Sequence, residues 1–291
     1  MKKVVFLTMD NLENFECYDD LLIAPFNKVG WEVNKVSWRK KNVDWNNYDT
    51  VIVRSTWDYQ SDYEKFLQVL NTIDKSTAVL FNDLETLKWN LNKAYLRDLE
   101  QSRVNIVPTI WEKNFNTRQP KNYFEYFQTD EIIIKPNVSA NADNTFLLNQ
   151  NEFENFVPVL STTFNKLEFM IQPFIKNITT EGEYSLFYFN GKYSHTILKT
   201  PKKNDFRVQE EHGGIIKAVN TDQQKQKIAE NIIGKLPSVP LYARIDLVRT
   251  EKDDFALMEL ELIEPSLYFQ LDKESPERFV KAFAERMSEL D

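Results

Sequence analysis

Cysteine and histidine are almost missing from this chain of 291 residues. The single cysteine, Cys17, excludes a disulfide framework and a cysteine-ligated zinc site. The two histidines, His195 and His212, are too few for a histidine-rich metal site. Any bound metal must therefore be held mainly by carboxylates, and this favours Mg²⁺, Mn²⁺ or Ca²⁺.

Long apolar runs are also missing, since none approaches the roughly 18 residues of a membrane span. The start of the chain carries two lysines, but the apolar run after them stops before Asp10, so we expect a strand there and a cytoplasmic protein. The 36 Lys and Arg against 44 Asp and Glu give a net charge of −8, which disfavours nucleic acid or an anionic membrane as the main partner. The hydrophobic fraction of 42% is enough for a sizeable core.

Strand and helix patterns alternate in the first third of the chain, which favours a parallel sheet in an α/β layer. The pattern predicts strands at 4–8, 31–36 and 49–54, and helices at 16–29, after Ser61 and at 83–101. In the helix at 16–29, four residues are expected on one face, with Gly30 just past its end; they are Leu21, Leu22, Phe26 and Val29. The sequence Ser61-Asp62-Tyr63-Glu64 predicts a capping box.

The remaining two thirds of the chain are richer in strands. The expected elements are strands at 104–111, 132–136, 169–175, 184–190, 192–199, 241–249 and 255–263, a loop at 112–122, and helices at 222–236 and from Ser275. The chain is thus divided into an N-terminal Rossmann-like α/β domain (1–84), a small central α+β part (85–171) and a C-terminal antiparallel α+β domain (172–291).

Three carboxylates are predicted to share one face of a hairpin. If the strands 241–249 and 255–263 pair symmetrically, Asp246 lies opposite Glu259 and Arg244 lies opposite Glu261. Like charges opposite each other destabilise a sheet, and a hard divalent cation would compensate for them. The alternative is an exposed polar face on which Arg244 neutralises a carboxylate.

Lys135 ends a buried strand and precedes a loop, 137–145, that has no glycine. A lysine in this position can bind phosphate, or it can simply reach solvent. With six glycines in the chain and no Walker sequence, a P-loop is not supported. The only paired glycines, Gly213-Gly214, follow Arg207, which is suited to a bidentate contact with an anion or to a solvated turn.

Aromatic and charged residues crowd the stretch 54–59, at the carboxyl end of a predicted strand, where ligands of α/β sheets bind. They suit recognition of a small polar substrate. The alternative is that Trp57 and Tyr59 pack against a neighbouring domain.

In their order along the chain, these motifs resemble the ATP-grasp superfamily in its glutathione-synthetase-like branch. The matching stretches are Asn90-Leu91-Asn92-Lys93, Ile134-Lys135-Pro136, Gln172-Pro173-Phe174-Ile175, Gly182-Glu183, Asp205-Phe206-Arg207 and Glu259-Leu260-Glu261. The stretches 53–59 and 263–268 are similar to the ligases that close the cycloserine ring from an ureido amino acid, and to relatives of these ligases. The resemblance implies an ATP-grasp fold in which the central part is the lid.

The resemblance also implies a role for each motif. ATP would be bound by Lys93, Lys135, Ser139, Gln172, Phe174, Ile175 and Glu183, and Mg²⁺ or Mn²⁺ by Asp246, Glu259 and Glu261. Lys199 and Arg207 would stabilise the transferred phosphoryl group. The substrate would contact Arg54, Ser55, Trp57, Asp58, Gly213 and Gly214. Two positions depart from the family pattern: Asn141 stands where glycine is expected, and Glu261 where asparagine is more common.

The implied activity is an ATP- and Mg²⁺-dependent carboxylate–amine ligation of a small amino-acid-like substrate through an acyl-phosphate. Such a route relies on positioning and charge neutralisation, and the sequence offers no Ser/His/Asp or Cys/His set. Two alternatives are a nucleotide-binding protein without ligase turnover and a small-molecule phosphotransferase. The resemblance also allows a homo-oligomer.

Overall fold

The computed structural model describes residues 1–115 and 122–290. Part of the expected loop at 112–122, namely 116–121, lies outside the described residues. Within the described ranges, no helix combines the length and the apolar character needed to cross a membrane.

A parallel sheet of four strands forms the N-terminal layer, as the alternating pattern predicted. It contains β1 (Lys2–Thr8), β2 (Trp31–Ser37), β3 (Thr50–Ser55) and β4 (Val79–Phe81) in the order β2-β1-β3-β4. The short strand β4 was not anticipated. The sheet is covered by α1 (Ile23–Lys28) on one face and α2 (Tyr63–Asp74) on the other, and α2 buries Phe66, Leu70 and Ile73.

The helix predicted at 16–29 is much shorter than expected. A 3-10 turn at Asp19–Leu22 precedes α1, and Leu21 and Val29 are exposed, so the prediction that they share the buried face was wrong. Pro25 lies in the first turn of α1, where the helix needs no backbone N–H from it. Gly30 follows with φ +86°, the left-handed conformation expected past a helix end.

The capping box predicted at Ser61 does not form. Residues Tyr59–Asp62 make a 3-10 turn, and Asp62 is the N-cap of α2 without a side-chain hydrogen bond. The Ser61 hydroxyl instead donates to the Asp58 carbonyl and accepts from Arg39. The competing arginine therefore changes how this helix begins.

The single helix predicted at 83–101 is two helices, α3 (Leu84–Leu91) and α4 (Tyr95–Gln101). Five apolar residues spaced along one side of the predicted helix are buried, so the periodicity was correct although the helix is interrupted; they are Leu84, Leu87, Leu91, Tyr95 and Leu99. The interruption begins at Asn92, whose backbone is extended and whose side chain accepts from the Ala94 N–H. It leaves Lys93 between the helices.

The central part contains an antiparallel sheet in the order β5-β8-β6-β7. Its elements are β5 (Ile110–Glu112), α5 (Asn122–Phe127), β6 (Glu131–Pro136), β7 (Phe146–Asn149), α6 (Phe153–Thr163) and β8 (Phe169–Pro173). The strand expected at 104–111 is wrong for most of its length, because only 110–112 pairs within the sheet and Ile106 forms an isolated bridge to Leu257. The division proposed between 171 and 172 falls inside β8.

A second antiparallel sheet, in the order β11-β10-β9-β12-β13, forms the C-terminal part. Its elements are α7 (Asn177–Thr180), β9 (Glu183–Phe189), β10 (Lys192–Thr200), β11 (Ile215–Ala218), α8 (Gln223–Ile233), β12 (Tyr242–Arg249), β13 (Phe255–Glu261) and α9 (Ser275–Ser288). Phe283 of α9 packs edge-on against Phe26 and Trp31, while Phe279 contacts Phe189. The last helix therefore joins the N-terminal and C-terminal layers in one hydrophobic core.

Candidate active site

One large cavity collects most of the residues that the sequence singled out. Its walls come from β6 and the loop after it, from the segment after β8, from one face of β9, β10, β12 and β13, and from the turn after β3. Of the eighteen predicted site residues, thirteen line it; they are Trp57, Lys93, Lys135, Ser139, Gln172, Phe174, Ile175, Glu183, Lys199, Arg207, Asp246, Glu259 and Glu261.

The carboxylate hairpin has the predicted register. Asp246 pairs with Glu259 and Arg244 with Glu261 across β12 and β13, and the next pair is offset by a β-bulge after Asp246. One oxygen of each of the three carboxylates lies within 4.8 Å of the others. The opposite face of the hairpin is apolar and buried, through Ile245, Leu247, Leu260 and Leu262.

Cations surround this carboxylate cluster. Arg244 bonds Asp246 at 2.9 Å and also bonds Glu261. Lys199 lies 3.2 Å from Asp246 Oδ2 and 2.5 Å from Glu183. The alternative of an exposed polar face was wrong, because Asp246 is only 1% exposed, although Arg244 does neutralise carboxylates as that alternative supposed.

The neighbouring charges move the pKa values of these carboxyl groups in opposite directions. Burial alone would raise the pKa of Asp246, but Arg244 and Lys199 lower it, and Ser185 donates a hydrogen bond at 2.5 Å. Burial raises the pKa of Glu261 to about 7, and the charges of Glu259 and Asp246 act in the same direction while Arg244 opposes them. A divalent cation would stabilise the ionised form, and three carboxylates are the oxygen donors that Mg²⁺ or Mn²⁺ requires.

Two lysines approach the cluster from the opposite side. Lys93 Nζ lies 2.7 Å from Glu259 Oε1 and donates to the Ser139 carbonyl at 3.0 Å. The ammonium group of Lys135, on β6, has no hydrogen bond or ion pair with any residue the structure describes. Burial lowers the pKa of Lys135, and Lys93 adds to this effect, while Glu259 opposes it. Lys135 is therefore a cation that the described part of the chain leaves unpaired.

An apolar slot lies at the end of the cavity beside β8. Ile133, Ile178, Val208 and Met258 line it together with the predicted hinge residues Phe174 and Ile175. Gln172 is buried and donates to the Thr109 hydroxyl at 3.0 Å, so its side chain is already engaged. A slot of this kind suits a planar, mostly apolar ring.

The loop after β6 closes over the cavity without glycine. Asn141, Ala142 and Asn144 have φ of +52°, +58° and +51°, the left-handed conformation that glycine adopts most easily. The loop is tied at two further points, because the Asn141 carbonyl lies 3.2 Å from His212 Nε2 and Gln60 donates to Asp143 at 3.4 Å.

The structure keeps five of the predicted substrate residues out of the cavity. Arg54 is buried against Asp19 and donates to the Pro265 carbonyl, and Ser55 is fully buried beside it. Asp58 binds the Trp38 indole and Arg39. Gly213 and Gly214 shape the turn after Arg207, where a Cβ on Gly214 would lie 2.0 Å from the Val208 carbonyl oxygen.

Sequence reasoning missed several residues that line the cavity, namely Tyr59, Tyr95, Arg244 as a contact residue, Glu264, Ser266 and Tyr268. Tyr59 and Glu264 belong to the two stretches that drew attention, 54–59 and 263–268. No periodicity or spacing marks single residues in such irregular segments, so only the fold identifies which of them face inward.

Comparison with known proteins identifies the family and the fold. The model of the family described as "Prokaryotic glutathione synthetase, ATP-grasp domain" matches residues 106–272, and that of "D-cycloserine synthetase DcsG, N-terminal domain" matches residues 4–82. The cycloserine biosynthesis protein DcsG of Streptomyces lavendulae is 24% identical over 265 residues, which cover 83% of this chain and 84% of the relative.

Solved structures share the fold over nearly the whole chain. The crystal structure of D-cycloserine synthetase DcsG superposes with a TM-score of 0.87 at 23% identity and covers 98% of this chain and 99% of its own. The D-alanine–D-alanine ligase of Bacillus anthracis gives 0.69 at 14% identity, covering 98% and 97%. The RiPP-associated ATP-grasp ligase of Chryseobacterium gregarium, solved with ADP and a leader and core peptide, gives 0.69 at 12% identity, covering 100% and 98%. The predicted resemblance and fold class are confirmed.

Proposed function

Because the chain belongs to the family of prokaryotic glutathione synthetase ATP-grasp domains, we propose that it is an ATP- and Mg²⁺-dependent, ADP-forming carboxylate–amine ligase for a small amino-acid-like substrate. One observation carries this proposal. The three carboxylates of the β12–β13 hairpin and the cations Lys93, Lys135, Lys199 and Arg244 all face one cavity.

The nucleotide would lie along the cavity from the apolar slot to the carboxylate cluster. Phe174 and Ile175 would enclose the adenine, with Gln172 at the strand end, and Glu183 would accept from the ribose. The phosphates would reach Lys93, Lys135 and the loop that contains Ser139. Lys135 supports this placement most directly, since it offers a positive charge that no described residue pairs.

Mg²⁺ or Mn²⁺ would be held by Asp246, Glu259 and Glu261, and would neutralise charge on the phosphate oxygens. The residues of this chain then position the reactants. A substrate carboxylate oxygen attacks the γ-phosphorus, and ADP leaves with the electrons of the broken P–O bond. A nitrogen nucleophile next attacks the acyl carbon of the acyl-phosphate, loses a proton, and displaces inorganic phosphate.

Lys199, Arg207 and Arg244 would stabilise the charge that develops in these two steps. Lys199 and Arg244 are fixed by Asp246 and its neighbours, so they are oriented before the substrate binds. Arg207 is fixed by its bond to Asp205 at 2.9 Å and lines the cavity. No strong general base is needed, because positioning and charge neutralisation supply most of the rate.

The similarity to DcsG, over 83% of the chain and in the N-terminal domain at residues 4–82, supports a small amino-acid-like substrate. The dependence on ATP leads us to propose a cytoplasmic location. Small molecules are the proposed partners, rather than nucleic acid or membrane, and a homo-oligomer remains a prediction from the resemblance.

The test is Glu259→Gln, which keeps the size of the side chain but removes one metal-binding charge. In the wild type, Mg²⁺ with a non-hydrolysable ATP analogue at about 100 times its Kd should add about 2.7 kcal/mol of stability. This corresponds to a rise in melting temperature of several degrees. The variant should lose the Mg²⁺-dependent part of the shift and form ADP at least 100-fold more slowly.

Glu251→Gln is the matched control, because Glu251 is exposed in the turn of the same hairpin. It should behave as the wild type. Full ADP formation by Glu259→Gln, or no nucleotide-dependent shift in the wild type, would refute the proposal.

A further inference from the structure

A second unpaired group faces the cavity, and its charge is opposite in sign to that of Lys135. The Glu264 side chain lines the cavity just beyond β13, and its carboxyl group has no hydrogen bond or ion pair within the described ranges 1–115 and 122–290. Glu211, at the rim of the cavity, is exposed. The other buried or half-buried carboxylates of the cavity all have such a partner: Asp246, Glu183, Glu259 and Glu261 are bonded by Lys93, Lys199 or Arg244. Glu264 is therefore the one acceptor of this set that the protein leaves for another molecule.

The backbone around Glu264 is firmly fixed. The Trp57 indole donates to the Glu264 carbonyl at 2.8 Å, and Arg54 donates to the Pro265 carbonyl at 3.2 Å. The Tyr242 hydroxyl lies 2.8 Å from the Ile263 carbonyl oxygen. Three consecutive carbonyl groups are thus held by side chains from β3, the turn after it, and β12. A carboxyl group held on so rigid a segment is suited to selective recognition.

Tyr59 completes this end of the cavity. Its ring is 4% exposed and stacks on Phe66 with centroids 5.0 Å apart. Tyr59 lines the cavity, and its hydroxyl makes no hydrogen bond with a described residue. Glu264 lines the same cavity. Burial raises the pKa of the Tyr59 hydroxyl, and the charge of Glu264 adds to this effect. The Glu264 carboxyl group and the Tyr59 hydroxyl are the polar groups at this end of the cavity, and the rings of Tyr59 and Trp57 are its aromatic surfaces.

The charges around Glu264 limit what it can bind. Burial raises the pKa of the Glu264 carboxyl group to about 8, and the negative charges of Glu261 and Glu259 act in the same direction. Lys93 and Arg244 oppose them but are bonded to other carboxylates. A cationic nitrogen group bound here would stabilise the ionised form of Glu264. A phosphate or carboxylate would be repelled here, so the anionic end of a substrate must lie toward Lys135, whose ammonium group no described residue pairs. A nitrogen group with several N–H donors fits, because a carboxylate can accept two or more of them.

We propose that Glu264, assisted by the Tyr59 hydroxyl, is a specificity-determining residue that binds a nitrogen group of the substrate carrying at least two N–H donors. This inference rests on the proposed ligase function and deepens it, since it assigns the polarity of the substrate. The carboxylate end faces the cations, and the nitrogen end faces Glu264.

The experiment uses the full chain saturated with Mg²⁺ and a non-hydrolysable ATP analogue, into which four probes are titrated by calorimetry in both D and L forms. Alanine and lactate differ only in an α-ammonium or α-hydroxyl group, and 2,3-diaminopropionate and serine differ in the same way at the β-carbon. We expect the nitrogen probe of at least one pair to bind tenfold or more tightly, as a charged hydrogen bond would produce. The pair that discriminates tells whether the α- or the β-nitrogen occupies the site.

In Glu264→Gln, this preference should fall at least tenfold, while the Kd of the nucleotide analogue stays within twofold of the wild-type value. Tyr59→Phe keeps the stacked ring and should lower the preference by a smaller factor. Glu211→Gln is the control for a mere loss of negative charge, because Glu211 is exposed at the rim of the same cavity.

Equal binding within both pairs, or an unchanged preference in Glu264→Gln, would overturn the assignment while leaving the ligase proposal intact. Binding of the ATP analogue is measured separately from binding of the probes. If the wild type does not bind the analogue, the proposed function itself is refuted. A melting temperature of the Glu264→Gln variant at or above that of the wild type shows that the variant is folded.

Discussion

Lys93 Nζ and Glu259 Oε1 lie 2.7 Å apart, although one residue stands in the gap between two helices and the other in the middle of β13. Burial alone would lower the pKa of Lys93, but the charge of Glu259 raises it. This pair fixes one cation of the site before any ligand binds. Lys135, on the neighbouring wall, has no such partner among residues 1–115 and 122–290.

Lys135→Met should stabilise the nucleotide-free protein and weaken nucleotide binding. Removal of an unpaired, half-buried charge relieves a desolvation cost. We expect the melting temperature to rise by about 2–4 °C, the shift that 1 kcal/mol produces in a large domain. The affinity for the ATP analogue should fall at least tenfold. Lys166→Met, at an exposed site, should change neither quantity, and a lower melting temperature for Lys135→Met would contradict the interpretation.

Ala142→Gly should stabilise the protein, because Ala142 has a φ of +58° that costs an alanine about 1–2 kcal/mol. The greater freedom of glycine in the unfolded chain offsets part of this gain, so we expect a net gain of about 0.5–1 kcal/mol in urea unfolding. Ala140→Gly is the matched comparison, because Ala140 is not among the residues with positive φ. It should lose stability, and equal effects of the two changes would exclude backbone strain as the cause.

Asn90→Ala should destabilise the attachment of α3 to β13. The Asn90 amide donates to the Leu260 carbonyl and accepts from the Leu262 N–H, both at 2.8 Å. Loss of this side chain leaves both buried backbone groups unpaired, at a cost of about 2–4 kcal/mol. Lys88→Ala, on the exposed side of the same helix, should stay within about 0.5 kcal/mol in the same denaturation experiment.

Stability should fall as the pH drops from about 6.5 to 4, with a contribution from His195. Burial lowers the pKa of His195 to about 4, with Asp272 opposing this effect and Arg278 adding to it. The unfolded chain therefore binds a proton that the folded chain does not, and stability is lost as the pH falls through this window. The contribution is about 3 kcal/mol, from about 1.4 kcal/mol per pKa unit.

His195→Phe retains the stacking on Phe187, whose ring lies 4.2 Å from that of His195, and removes the titration. The difference between the pH profiles of wild type and variant isolates this residue from the carboxyl groups that also titrate in acid. Parallel profiles between pH 4 and 6.5 would show that His195 does not titrate as expected.

The hairpin and the interrupted helix show what the sequence could predict about this site. The register of Asp246 against Glu259 follows from the alternation of two strands about one turn, which is purely local information. The break between α3 and α4 at Asn92 cannot be predicted from the sequence, since the helical spacing of apolar residues continues through it to Tyr95. Arg54 and Asp58 were expected to face the substrate, but Asp19, Trp38 and Arg39 bind them from segments distant in sequence. No local pattern reveals such partners.

The bonds from Trp57 and Arg54 to the carbonyl groups of Glu264 and Pro265 also bear on how substrate preference can be exchanged between relatives. A chimera that takes only residues 1–84 from another protein would pair a foreign turn with the native segment at 263–268. The residues proposed to bind ATP, which lie between 93 and 261, would be unchanged. The Glu264 carboxyl group would no longer be held in its position relative to the cavity. The substrate preference therefore depends on two stretches that are distant in sequence, 54–59 and 263–268, and both must be exchanged together.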